Sequence, residues 1–390
     1  MPNRSVRSVI LIALGHLVIE LCSSALPVIY PVLMTTMHLS YSQIGVLALV
    51  ASVSTSLAQP LFGYMSDLWQ PRRLSTFSVA WIGLTMGLIG LVPNYHLLVP
   101  LVGLAALGSA AFHPPGAVIA AHSAGTRKGI AISTFSVGGN IGAAISPLLI
   151  TAGMNWLGAS GTLLLIPIAL GLSAVLLAEL APIVRPAVKQ TETHQSAPMH
   201  RNYLGLALIV LAVMCLAWFH ISMKTYLPIW IKDQSASLTR SGQVMFTFLL
   251  ATSIGSLLGG SISDRIGHWQ LLLGCLILLI PLALLFVDAT GLMQWAIVSS
   301  IGLLVGAMFP VSIVIAQETW PGNVGLASAM VMGIGWVPGG IGASVTGQIA
   351  DALSLQAGLR LLAVPLVLGA ASILAYALTQ KKRRKNQVPS

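Results

Sequence analysis

The chain has 390 residues, of which 56% are hydrophobic and only 7% charged, with a formal net charge of +10. A soluble domain carries about 25% charged residues, so this chain has too little charge to cover a surface facing water. Its solvent is lipid, which excludes an ordinary soluble enzyme, and the placement of the basic residues (below) accounts for the positive charge without nucleic acid.

Apolar runs predict twelve transmembrane helices, at roughly 8–34, 44–66, 74–93, 97–121, 129–154, 159–181, 204–231, 241–262, 269–288, 292–317, 323–350 and 355–379. Each is near the ~20 residues needed to cross a bilayer. In lipid the backbone must satisfy its own hydrogen bonds, which favours helices; the alternating polarity of a β-barrel is absent. Arg4 and Arg7 before the apolar run Val9–Val18 imitate a signal peptide. Glu20 follows and the run resumes to Met34, so the segment reads as a retained first helix.

Helix 1 carries the strongest chemical candidate. Glu20 sits about 12 residues into it, or about 18 Å deep, where a carboxylate is expensive to keep charged. It is a candidate to gain and lose a proton, the alternative being a fixed, hydrogen-bonded carboxyl that helps helices pack. His16 lies four residues earlier on the same face, placed to orient that carboxyl or relay its proton, or to cap polar groups. In helix 4, His113 stands in Phe-His-Pro-Pro. Pro114 and Pro115 remove backbone donors and can kink the helix, so His113 is either a cavity-facing proton carrier or anion contact, or a support for the kink.

Asn140 in helix 5 is a candidate substrate contact among Gly138, Gly139 and Gly142, which suggest close helix packing. Pro182 to Asn202 is polar and rich in proline, and reads as a cytoplasmic linker over 182–203. Lys224 and His220 share one face of helix 7 and suit an anionic substrate, although Lys224 is also placed to snorkel outward. Gln317 and Glu318 end helix 10, as a substrate contact, gate or proton exit, or as a solvated helix end.

Orientation follows from the arginines and lysines. With the N-terminus in the cytoplasm, one side collects Arg4, Arg7, Arg72, Arg73, Arg127, Lys128, Arg185, Lys189, Arg201, Arg265 and Lys381 to Lys385. The other side holds only Lys232, Arg240 and Arg360, so a multi-pass protein of the cytoplasmic (inner) membrane with both termini in the cytoplasm is expected.

The chain also repeats itself. Gly63-Tyr-Met-Ser-Asp67 matches Gly260-Ser-Ile-Ser-Asp264, Phe112 matches Phe309 and Pro31 matches Pro228, all at an offset of 197; Ile141-Gly-Ala143 matches Ile341-Gly-Ala343 at 200. The near-constant offset implies two parallel six-helix copies, 1–181 and 204–380, with a basic tail at 381–390 and a site between the copies.

These residues resemble the major facilitator superfamily. Its signature after helix 2 is close to Gly260–Gly267 (GSISDRIG); the first copy keeps Gly63, Asp67, Arg72 and Arg73 but has Leu68 and Gln70 where the pattern has Arg and Gly. The resemblance implies an all-α integral membrane fold of two pseudo-symmetric six-helix bundles. It also implies conformational switching by Gly63, Asp67, Arg72, Arg73, Gly260, Asp264 and Arg265, of which Asp67, Arg72, Arg73, Asp264 and Arg265 are read here as loop charges. Gly15-His-Leu17, Ile29-Tyr-Pro31, Gln43-Ile-Gly45, Phe112-His-Pro114, Ser136–Asn140 and Ala316-Gln-Glu318 resemble the fosmidomycin-resistance efflux branch. The helix 5 Gly-Pro pair of antiporters is altered, with Pro147 displaced from Gly142.

The expectation is a proton-coupled antiporter exporting a small drug or anionic toxic compound such as a fosmidomycin-like phosphonate. Uptake symport of an organic anion or sugar, or a membrane sensor or channel, are the alternatives. Partners are a small-molecule substrate, protons and the lipid bilayer, in a monomer. No nucleotide-binding motif or catalytic cluster is present, so neither a cofactor nor enzyme activity is expected. Cys22, Cys215 and Cys275 are scattered through apolar runs without metal-ligand spacing, so no metal is expected either.

Overall fold

The computed structural model describes residues 2–123, 127–180 and 202–387. It is all helix among the described residues. The elements are α1 (Pro2–Ser23), α2 (Leu26–Met37), α3 (Tyr41–Leu68), α4 (Pro71–Leu88), α5 (Tyr95–Ser123), α6 (Lys128–Leu157) and α7 (Leu165–Glu179). They continue with α8 (Tyr203–Ser235), α9 (Leu238–Ile266), α10 (His268–Phe286), α11 (Gly291–Thr319), α12 (Val324–Met332), α13 (Val337–Ala352), α14 (Leu355–Leu361) and α15 (Ala363–Gln387).

Eleven stretches of the described residues are long and apolar enough to cross a membrane. One of them, Lys128–Glu179, is 52 residues long. Its helices would extend about 78 Å if straight, more than twice the ~30 Å hydrocarbon core, so it holds two crossings. The turn between them starts at Gly158, whose φ of +61° favours glycine, and passes through a 3-10 segment to Leu164. Each of the twelve expected segments is therefore helical.

Helix ends follow local chemistry. Ser40 and Gln43 form a reciprocal capping box that opens α3, at 3.2 and 2.9 Å. Pro71 opens α4 where its missing N–H costs nothing. Gly267, at φ +100°, separates α9 from α10.

Four expectations need correction. The first segment is two helices, because Pro27 at the start of α2 lacks an N–H and crowds the Ser23 carbonyl. The backbone crosses the break with Ala25 N–H donating to the Cys22 carbonyl at 3.2 Å. The eleventh segment is likewise interrupted, by a 3-10 turn at Ile334–Trp336. The charges expected to govern switching are not loop residues: Asp67 lies in α3, Arg72 and Arg73 in α4, and Asp264 and Arg265 in α9, as Gly63 and Gly260 lie in α3 and α9. A 29-residue helix such as α9 is about 44 Å long, so its last turns run past the hydrocarbon while staying helical. The last helix also continues to Gln387, beyond the expected start of the tail at Lys381.

By their contacts the residues divide into two units, Met1–Val188 with Thr225–Leu250, and Lys189–Lys224 with Ala251–Ser390. This division differs from the sequence halves, since the end of α8 and the start of α9 group with the first unit. There, Tyr226 Oη donates to the Tyr41 carbonyl at 3.1 Å and Asn155 Nδ2 to Thr239 Oγ1 at 2.7 Å. The expected linker falls at 182–201 outside the described residues, with Arg185, Lys189 and Arg201.

Within the first unit α6 lies unusually close to α1. A Cβ on Gly138 would stand 2.2 Å from the Ala13 carbonyl oxygen, and one on Gly142 2.0 Å from that of Leu17. Small residues admit this approach, and Ser146 Oγ adds a 2.5 Å hydrogen bond to the Leu21 carbonyl. In the second unit α13 meets α8 the same way, with Gly339 against Ala217 and Gly342 against Trp218. The recurrence of one helix pairing is the structural counterpart of the sequence offset near 200.

Candidate functional site

The α1–α6 contact and α5 together position one polar cluster in the first unit. His16 projects from α1 against α6, where only a glycine at 139 leaves room: a Cβ there would lie 2.5 Å from the imidazole. The ring stacks on Phe135 at 4.2 Å between centroids and 22° between planes. Its Nδ1 is 2.8 Å from the Phe135 carbonyl oxygen. A carbonyl only accepts, so Nδ1 carries the hydrogen, and in the neutral ring Nε2 keeps its lone pair.

That lone pair faces Glu20. His16 Nε2 lies 3.9 Å from Glu20 Oε1, and His113 Nε2 lies 3.4 Å from the same oxygen. The two imidazoles meet edge to face at 5.1 Å and 83°. Ser109, one turn before His113, places its Oγ 3.3 Å from His113 Nε2. The three side chains are 13–25% exposed, enough for a small ion or water to reach them. α5 runs through Pro114 and Pro115 without a break, and the carbonyls they leave without an N–H partner belong to buried Ala110 and Ala111. This cluster can bind, hold and pass a proton: one acid and two bases share a pocket partly shielded from water.

The remaining candidates lie elsewhere. Asn140 is half-buried on α6, next to the glycine that accommodates His16. In the second unit, His220 is buried, with Lys224 one turn on along α8. His220 meets the Trp336 ring edge to face at 5.6 Å, and Phe309 meets the same ring edge to face at 5.4 Å. Gln317 Nε2 donates to Ser328 Oγ at 2.8 Å. Glu318 joins a different group: His268 Nδ1 is 3.1 Å from Glu318 Oε2, and His268 Nε2 is 3.5 Å from Asp264 Oδ1.

Of the residues expected to govern switching, Arg72 has a partner at a helix end. Its guanidinium donates to the Leu177 carbonyl in the last turn of α7, where a cation complements the helix dipole. The Asp67 side chain lies outside the described atoms. Gly63 is half-buried, Gly260 has open space around its Cα, and Arg73 and Arg265 are exposed.

Sequence reasoning missed Phe135, Ser109, Trp336 and His268. Ser109 was detectable, since it is four residues from His113 on one helix face. Phe135 and Trp336 act across helices and leave no mark in local spacing.

Comparison with known proteins extends these observations. The profile of the Major Facilitator Superfamily matches residues 12–343 and 227–390. A Bacillus subtilis (strain 168) protein described as the uncharacterized MFS-type transporter YfnC is 28% identical over 389 residues, covering 96% of this chain and 93% of that protein. The fosmidomycin resistance protein of Escherichia coli (strain K12) is 27% identical over 369 residues, covering 93% and 91%. Among solved structures, a bacterial homolog of the human lysosomal transporter Spinster, inward-facing and occupied, superposes with a TM-score of 0.80 at 13% identity, covering 95% and 96%. The nucleoside transporter NupG gives 0.75 at 13% identity, covering 95% and 98%. At such identities the structures speak for the fold alone.

Proposed function

The chain belongs to the major facilitator superfamily, a multi-pass membrane transporter rather than an enzyme, and from that premise we propose that it is a proton-coupled antiporter that exports a small drug or anionic toxic compound. The observation that carries the coupling is the meeting of His113 and His16 at one oxygen of Glu20, 3.4 and 3.9 Å away. Ionisable groups inside a membrane are costly, and they are kept where they line an ion or substrate path. A protonated Glu20 carboxyl donates to the Nε2 lone pair of a neutral imidazole, whereas the Glu20 carboxylate pairs with an imidazole only when that ring is charged. A site whose interactions change with its proton load biases a two-state equilibrium.

Export of a fosmidomycin-like phosphonate is supported by the relative of that description, which spans nearly the whole chain. On this reading Lys224 and His220 attract the anion, Asn140 contributes a polar contact, and Gln317 and Glu318 act near the cytoplasmic end of α11. Gly63, Asp67, Arg72, Arg73, Gly260, Asp264 and Arg265 stabilise one state over the other through helix-end contacts. Residues 1–181 and 204–380 form the two six-helix halves, joined through 182–203. Both termini face the cytoplasm, and the protein works as a monomer in the inner membrane.

The test is uptake of labelled fosmidomycin into everted membrane vesicles. An acid-inside gradient is expected to drive accumulation, and collapsing it with a protonophore to abolish accumulation. Accumulation driven by an alkaline-inside gradient would replace antiport with symport, and protonophore-insensitive flux would remove proton coupling altogether.

A further inference from the structure

The chemistry of the His16–Glu20–His113 cluster extends past protons. Two imidazole nitrogens and one carboxylate oxygen lie within 4.8 Å of one another. Zinc-class cations bind such atoms at about 2.0–2.2 Å, and a tetrahedral site then spaces its ligand atoms about 3.3 Å apart. The separations from Glu20 Oε1, 3.4 Å to His113 and 3.9 Å to His16, fall close to that spacing. They exceed the ~2.7–2.9 Å of a strong charge-assisted hydrogen bond. The atoms are thus set wide for one another and near the right span for an ion among them.

The outer support matches as well. A metal-bound imidazole usually donates its other N–H to a carbonyl or carboxylate, which fixes ring and tautomer. His16 does this to the Phe135 carbonyl at 2.8 Å while stacked on the Phe135 ring. The second histidine cluster lacks such convergence. His268 meets Glu318 through Nδ1 and Asp264 through Nε2, so the two carboxylates address opposite edges of one ring.

We propose that His16 and His113, through Nε2, and Glu20, through a carboxylate oxygen, form a binding site for a divalent transition-metal ion of the zinc class, and that its occupancy stalls transport. Imidazole and carboxylate ligands suit zinc, and three protein ligands leave a fourth position for water. The stalling rests on the proton-coupling reading above; the binding does not.

The experiment uses the full chain, purified in detergent with a tag free of histidine, and titrated with Co2+ as a visible-absorbing substitute for Zn2+. One Co2+ per chain is expected, with d–d bands of a four- or five-coordinate ion, displaced by Zn2+. Binding should weaken more than ~100-fold in Glu20→Gln and His113→Ala, since loss of an outer partner alone costs about 10- to 100-fold, and persist in His268→Ala. His113→Cys should keep the ion and add a sulfur charge-transfer band, which separates ligand loss from misfolding. In proteoliposomes Zn2+ should inhibit transport by the wild type. No saturable Co2+ binding, or binding unchanged in both Glu20→Gln and His113→Ala, overturns the site and leaves the proton reading intact. Co2+ binding without inhibition by Zn2+ overturns the stalling. Wild-type proton-driven transport in Glu20→Gln, with Co2+ binding lost, overturns the proton reading and leaves the metal site standing.

Discussion

One carbonyl sets the behaviour of His16. Because Phe135 takes the Nδ1 hydrogen, the imidazole presents an acceptor to Glu20 in its neutral form and a donor when charged. His113 is held less rigidly, by the Ser109 hydroxyl at 3.3 Å, and is the closer of the two to the carboxylate. His113→Gln keeps a polar group of similar reach and removes protonation. It is expected to lower gradient-driven transport tenfold or more while substrate counterflow, which needs no net proton movement, stays within about twofold of wild type, since proton transfer by a placed group contributes ~10²–10⁴-fold in related chemistry. Equal losses in both assays would mean that His113 serves substrate binding or folding instead. The i,i+4 relation of His16 and Glu20 was evident from spacing alone. The contribution of His113 was not, because the sequence places it 93 residues from Glu20 and only the packing of α5 on α1 brings the two together.

At the scale of elements, the glycines of α6 are the feature on which the site's geometry depends. A Val side chain at position 142 would place its Cβ 2.0 Å from the Leu17 carbonyl oxygen, so backbone must move. Overpacking of this kind costs about 1–3 kcal/mol. Gly142→Val is expected to lower the thermal midpoint in detergent and to displace His16, so that stability and coupling fall together. An unchanged midpoint would mean that α6 adjusts freely. Arg72→Ala makes a contrasting pair. It removes one cation from the end of α7, worth about 0.3–1 kcal/mol, so stability should barely move while the transport rate falls several-fold if the contact belongs to one state of the cycle. Hydropathy was sufficient to find every membrane helix, because lipid enforces the pattern. It could not show that the Gly63–Asp67 and Gly260–Asp264 turns remain helical, since helix termini outside the hydrocarbon carry no apolar signature. The break after Ser24 was in principle visible in Pro27, but proline in a membrane segment is compatible with both a kink and a continuous helix.

For the whole molecule, the lysines and arginines predict the orientation, and orientation determines which side each helix end faces. The three native cysteines are buried, so a background lacking them supports single-cysteine labelling. A cysteine at exposed Gln70, between α3 and α4, should react with an impermeant maleimide from the cytoplasmic side, and one at exposed Thr290, before α11, from the outside. The reverse pattern would invert the topology and place the basic residues outside the cell. The matching glycines at 142 and 342 were legible from their offset of 200, whereas the grouping of residues 225–250 with the first unit was not, because it arises from contacts such as Tyr226 with Tyr41 that no repeat encodes.

In the proposed cycle Glu20 exchanges its proton for substrate. The most direct measurement is proton flux in proteoliposomes loaded with a pH-sensitive dye, after addition of fosmidomycin without any imposed gradient. The wild type should move protons opposite to the drug, Glu20→Gln should move none while still catalysing drug exchange, and a proton signal in Glu20→Gln equal to wild type would contradict the account.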